Sequence, residues 1–442
     1  MRGGSPGGGA SDATRARVEE AIEDLWRSDW SRLVALVIGQ FARPDLAEDA
    51  VADAFASAAR TWPRDGVPTN PVAWVLTAAR RRVLDALRSE AVHRRKEPLM
   101  VVDEGLRHDA AAAVDPGAHL ADETLRLLFS CCHPALAPEA RVALTLRFVV
   151  GLDVPEIARL LLVQETTLQA RITRAKKRLA AAGIPFAPPP PERMPERLGT
   201  VAVVLYLLFT AGYQPTRGAA PLRVDVAERA ISLTRALDAA VPGSDLVHAL
   251  LALMLLQHSR RDARTDDDGR LVLLADQDRT RWHADEVVEA LRLLDAVRPG
   301  AGQAEEYRLQ ALVAAEHARA SSSADTRWDV VADLYGRLEQ LTGSAVVRLA
   351  RAVAVAEAHG AEAGLALLDG LDDALPRSHR VPVVRGELLA RTGAVAEAHA
   401  ELSRALDRVT NEAEREHLRR RLSELDARTG FDAGAGLDEG AG

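Results

Sequence analysis

Val154–Leu179, VPEIARLLLVQETTLQARITRAKKRL, is the stretch from which the fold can be read. Val154, Ile157, Ala158 and Leu161 recur at helical spacing, Leu162-Val163-Gln164 interrupts them, and Leu168, Ile172, Ala175 and Leu179 then form one apolar stripe. A short amphipathic helix, a turn and a second helix make a helix-turn-helix. At about 100° per residue, Thr166, Ala170, Thr173, Arg174 and Lys177 lie opposite the stripe with Gln169 beside them, a face open to a DNA major groove. Residues 154–180 hold six Lys+Arg against two Asp+Glu, net +4, and release of counterions favours such a patch on phosphate. The plainer reading is a solvated basic face. The turn and the exposed face together favour DNA.

Working outward, a second basic helix follows Pro71. Leu76, Ala79, Val83, Ala86 and Leu87 share one face, and Trp74, Thr77, Arg81, Asp85 and Arg88 the other. Residues 71–100 carry seven Lys+Arg against three Asp+Glu, again net +4. A Trp beside arginines suits stacking on an unpaired base, while a helical Trp is also an ordinary core residue. Upstream, Leu46, Ala50, Val51, Ala54, Phe55 and Ala58 form an apolar stripe; Asp49 and Asp53 point away from it and Glu48 lies at its edge. These acids make either a solvated face or a docking surface for a basic partner, and their spacing supplies no convergent metal ligands.

The whole chain has 442 residues, 56 Lys+Arg and 64 Asp+Glu, net charge −8. Gly183-Ile184-Pro185-Phe186-Ala187 and the run Pro188–Pro191 divide it, because no helix crosses such a run. Residues 1–190 are then net +1 and residues 191–442 net −9, so the acidity sits in one half. With 48% hydrophobic and 4% aromatic residues, the Ala/Leu/Arg-rich mix favours helices and excludes a wholly disordered chain. The expected fold is all-α, with weak strand alternation only around Arg270 to Leu274. The apolar run Val201–Phe209 is too short for a bilayer and the Gly-rich start has no apolar signal segment, so the expected location is cytoplasmic, with no membrane contact. Adjacent Cys131 and Cys132 suggest small core residues and no disulfide or zinc cage. Gly360-Ala361-Glu362-Ala363 and Gly393-Ala394-Val395-Ala396 recur 33 residues apart, near the period of about 34 of tetratricopeptide helix pairs; an irregular Ala-rich bundle is the other reading.

No catalytic residue emerges. GxGxxG, Walker A and HExxH are absent, and His248, His258 and His283 are scattered, as structural histidines are. Asp266-Asp267-Asp268-Gly269 mimics a calcium loop, but aligning its glycine puts Arg264 at the first ligand position and Ala275 at the last. No metal or cofactor is expected. The Asp276–Trp282 segment lines either a pocket or an interdomain contact.

Taken in order, Asp45–Val51 with Ala54-Phe55, Trp62-Pro63, Asn70–Trp74, Ala79–Arg88, then Cys131–Leu136, Ala143–Arg147, Glu156–Ala158 and Arg171–Lys177 resemble regions 2 and 4 of extracytoplasmic-function sigma factors of the sigma-70 family. Beyond the proline run, Leu205–Phe209 with Gly212-Tyr213, Leu250–Leu256, Ala263-Arg264 and Leu273–Trp282 look like the long extension of a subgroup that ends in TPR-like helices. One departure is Thr210-Ala211, where that pattern has an Asn-Glu pair before Gly212-Tyr213.

The resemblance implies two small helical sigma domains, the second with the helix-turn-helix, plus a C-terminal helical, TPR-like domain. Its divisions are a tail 1–24, a region 2-like domain 25–97, a linker 98–121, a region 4-like domain 122–182, a Pro-rich linker 183–197, an extension 198–430 and a tail 431–442. Core RNA polymerase and promoter DNA would be the partners, with a regulatory partner or ligand of the extension left open. Trp74, Thr77, Arg81 and Arg88 would meet the −10 element. Thr166, Gln169, Ala170, Thr173, Arg174 and Lys177 would meet the −35 element, and Glu48, Asp49 and Asp53 the polymerase. A helix-turn-helix regulator acting without polymerase is the first rival, and an enzyme in the C-terminal half the second.

Overall fold

The computed structural model describes residues 8–94, 118–161, 163–181, 189–213, 223–266, 272–409 and 412–435. It is helical throughout, with no strand among the described residues. Of the stretch expected to alternate, 270 and 271 lie outside the described residues. The Val272 N–H donates to the Arg264 carbonyl at 2.8 Å, and Leu274–Asp276 then forms a 3-10 turn. The chain separates into two compact units, Met1–Ala211 and Gly212–Gly442.

In the first unit, α1 (Gly8–Phe41), α2 (Pro44–Asp65) and α3 (Pro71–Arg94) pack on one another. Pro44 opens α2 at a position where its missing N–H costs nothing, and the Asn70 side chain accepts the Ala73 N–H to cap α3. Arg43 joins the ends of the hairpin, pairing with Asp45 at 2.7 Å and Glu90 at 2.9 Å. Burial of Trp30, Leu33, Val51, Phe55, Trp62, Val75 and Val83 makes the core. This is the main source of stability for such a bundle.

The helices α4 (Ala118–Cys131), α5 (Pro138–Leu144), α6 (Val154–Leu160) and α7 (Glu165–Ala181) follow. After α5, Thr145–Val150 winds wider, as a π-type turn, and stops at Gly151 with φ +87°. The Asp153 and Glu156 side chains cap each other's backbone N–H groups and start α6. Leu168, Ile172, Ala175 and Leu179 are the buried residues of α7, in the expected register. Cys131 and Cys132 are buried free thiols, and burial pushes Cys132 up to about 12.

The helix α8 (Met194–Gly212) is long and apolar enough to cross a membrane by length and composition, yet half of it is buried. Arg197, itself buried, donates to the Phe129 carbonyl and fixes the start of α8 to the first unit.

In the second unit α9 (Val224–Ala240), α11 (Ala284–Ala296) and α12 (Gly302–Arg319) surround α10 (Asp245–His258). Nearly every residue of α10 from Val247 to Leu256 is buried, as expected of a helix that is apolar all round. The remaining helices are α13 (Trp328–Thr342), α14 (Ala345–His359), α15 (Ala361–Ala366), α16 (Leu371–Ala374), α17 (Arg380–Thr392), α18 (Val395–Arg408) and α19 (Glu412–Ala435). They pack as successive neighbours around three core clusters, the TPR-like manner. The two repeat signals both follow a helix, Gly360 after α14 and Gly393 after α17, and both glycines have positive φ, but their ψ values are 159° and 2°. The helices after them differ: α15 has 6 residues and α18 has 14.

Candidate nucleic-acid interface

The helix-turn-helix presents the face its spacing predicts. Thr166, Gln169, Ala170, Thr173, Arg174 and Lys177 are all exposed along α7, opposite the buried stripe. Thr173 donates its hydroxyl to the Gln169 carbonyl at 2.8 Å. Arg178 is tied down, its Nε donating to the Ala135 carbonyl at 2.8 Å.

On α3, Thr77, Arg81 and Arg88 are exposed, and Arg88 holds Asp85 at 3.3 Å in a solvated pair. Trp74 differs from the expectation of a freely exposed ring. It is half-buried, edge-on to the buried Trp62 with centroids 5.5 Å apart and planes at 70°, because the end of α2 comes back over the start of α3. One edge of the ring is anchored, which limits its rotation.

The acidic face of α2 is corrected most. Helical spacing puts Glu48 at the margin of the apolar stripe, but it is only 4% exposed. Arg147, from the π-type turn, donates to its Oε1, and Lys176, from α7, reaches its Oε2 at 2.7 Å and Asp49 at 3.3 Å. Two other elements therefore cover the side chain, which α2's own pattern does not reveal. Burial would raise the Glu48 carboxyl, but Arg147 and Lys176 outweigh it and hold the group below its ordinary value. Burial, with the adjacent Glu48 charge, raises Asp49 despite Lys176. Asp53 stays exposed, with Arg82 4.0 Å away.

This contact joins the three-helix module to the helix-turn-helix. Trp26 and Trp30 extend it, donating their indole N–H groups to the Gly151 and Arg147 carbonyls, both at 3.1 Å. Sequence reasoning missed Trp26, Trp30, Arg147 and Lys176. Lys176 carried a faint signal, since it lies one turn after Ile172, at the edge of the buried stripe.

Comparison with known proteins places names beside these elements. Residues 25–92 match the family described as Sigma-70 region 2, residues 126–179 that described as Sigma-70, region 4, and residues 197–298 a family of unknown function, DUF6596. Uncharacterized protein R00370 of Rhizobium meliloti (strain 1021) is 41% identical over 392 residues, 88% of this chain and 92% of that protein. ECF RNA polymerase sigma factor SigK of Mycobacterium sp. (strain KMS) is 27% identical over 161 residues, 35% of this chain and 78% of that protein, and SigK of strain JLS matches equally. No solved structure matches the chain.

Proposed function

Since this chain belongs to the sigma-70 family, as a sigma factor of the extracytoplasmic-function type with a C-terminal extension, we propose that its two exposed basic faces divide promoter recognition between them. In this reading Arg174 and Lys177 of α7 hold phosphates of the −35 element while Gln169, Thr166, Ala170 and Thr173 meet base edges. On α3, Arg81 and Arg88 hold the backbone near the −10 element, and Thr77 and the anchored Trp74 meet an opened base. Asp49 and Asp53 offer charge to core RNA polymerase; Glu48 supports them from beneath. The work is binding and strand opening in the cytoplasm, without covalent chemistry.

The observation that carries the reading is the joint one: region 2 and region 4 both match, in order, and each carries an exposed basic helix face. A regulator acting without polymerase is not favoured, since such a protein has no use for region 2. Domains at 25–97 and 122–182 would do this work, and the acidic extension 198–430 would regulate it.

Reconstitution with core RNA polymerase on a promoter library tests the reading. Core-dependent initiation is expected, and a footprint that forms equally without core overturns it. For the extension, residues 1–212 are compared with the full chain, a cut that keeps Arg197 and α8 with the first unit. Equal promoter-directed transcription would remove the regulatory role.

A further inference from the structure

In the second unit a cleft of about 330 Å³ lies among α10, α12, α13 and α14, with Leu274 and Trp282 also lining it. Its walls are mostly aliphatic, and its polar groups are Gln257, Arg260, Trp282, Gln310, His317 and Tyr335. A few convergent polar groups in an apolar cleft of this size are the usual makings of a small-molecule site.

The charge balance of this cleft sets it apart. Elsewhere in the unit, inward-facing arginines meet carboxylates: Arg308 meets Glu305 at 2.6 Å, Arg261 meets Glu286 at 2.9 Å and Arg421 meets Glu387 at 2.7 Å. Arg260 has no such partner among the described residues. Its guanidinium donates to the Gln257 side-chain oxygen, and its charged neighbours are Arg264 and Arg279. Burial first, and then Arg264, lower it to about 10, so it remains a cation at neutral pH. Arg264 lies over the Tyr213 ring at 4.2 Å and Arg279 over the Trp282 ring at 4.9 Å, and neither forms an ion pair among the described residues. Asp325 acts on Arg279 from a distance, but no carboxylate of the described residues acts on Arg260, in the half of the chain that is net −9.

A buried donor points the same way. Of the residues lining the cleft, Trp282 carries a buried indole Nε1 without an acceptor among the described residues. His317 adds no further cation, because burial and then the arginines push it down to about 4. The cleft therefore presents a fixed positive charge and an apolar wall, and its lining residue Trp282 keeps a buried indole N–H that lacks an acceptor.

We propose that this cleft binds a small organic carboxylate: Arg260 receives the charge, the Trp282 indole N–H assists, and the aliphatic wall takes an apolar body. Inorganic phosphate, with no apolar body, leaves the wall unfilled. The site does not rest on the promoter reading, and its test is a binding measurement.

Titration calorimetry on the full chain uses hexanoate, benzoate and 4-phenylbutyrate, each beside its uncharged primary amide, with inorganic phosphate as a further probe. At least one carboxylate is expected to bind one to one, about tenfold or more tighter than its amide. Arg260→Gln should remove that preference while circular dichroism shows the helices intact. Arg298→Gln, on a solvent-exposed side chain, should change nothing. Trp282→Phe, which deletes the indole N–H and keeps an aromatic ring, should weaken binding severalfold and serves as the second variant should Arg260→Gln not fold. The proposal is overturned if no carboxylate binds the folded chain, if the amides bind equally, if phosphate alone binds, or if carboxylate affinity survives in the folded variant.

Discussion

Gly151 ends the π-type turn at φ +87°, and a Cβ built on it would stand 2.9 Å from Cδ1 of Trp30. Two costs coincide in Gly151→Ala: a left-handed backbone and displacement of a buried indole. Destabilisation of about 1–3 kcal/mol is expected in urea unfolding, and an unchanged midpoint would refute it. Glu48 poses an electrostatic version of the problem. Glu48→Gln leaves Arg147 and Lys176, both mostly buried, facing a neutral amide, and breaking a buried pair typically costs about 3–5 kcal/mol. The pH dependence follows from the lowered carboxyl. A group that holds its proton less tightly folded than unfolded stabilises the fold above its unfolded value of about 4.3. That stability is lost as pH falls through the lower folded value. Asp49, raised, acts with the opposite sign, and weakly because its side chain is 70% exposed. Wild type should therefore lose stability on acidification more steeply than Glu48→Gln. Parallel curves would show that Glu48 is not the titrating group.

At the level of elements, the helix-turn-helix was legible because both its signals are local: a buried stripe at Leu168, Ile172, Ala175 and Leu179, and an Asp153/Glu156 cap beside a short turn. The exposed side of α7 followed by subtraction. Its roles separate experimentally. Arg174→Ala should weaken duplex binding across sequences and reduce the salt slope by about 1, whereas Gln169→Ala should cost about 1–3 kcal/mol only on sites with the preferred base. Uniform loss in both, measured by fluorescence anisotropy of the polymerase-bound chain over several salt concentrations, would remove Gln169 from base reading. Glu48 was misplaced because its partners lie 99 and 128 residues away, beyond any periodicity. The unequal repeat helices were hidden for a related reason. A Cβ on Gly364 would meet Ala356 Cβ at 2.6 Å and the Ala352 carbonyl at 2.7 Å, a close approach of α15 to α14 that sequence spacing does not record.

For the molecule as a whole, the acidic face of α2 has two claimants. Lys176 holds Glu48 and Asp49, while Asp49 and Asp53 are the charges that the proposed function offers to polymerase. On that proposal Asp49 is shared between Lys176 and polymerase, so polymerase binding is expected to draw α7 away from α2, and the free chain's affinity would be lowered by the fraction held closed. Donor and acceptor dyes at Ala59→Cys on α2 and Ala181→Cys on α7, both exposed positions, report that separation. The native thiols should stay unlabelled, since both are buried and Cys132 is pushed up to about 12. Energy transfer should be high in the free chain and fall when core RNA polymerase is added. Lys176→Ala, which spares the Arg147–Glu48 pair, should lower transfer in the free chain and tighten polymerase binding severalfold. Transfer that stays high in a complex active on promoters would mean that the two regions remain together on polymerase, and that the acidic face of α2 serves the fold rather than the partner.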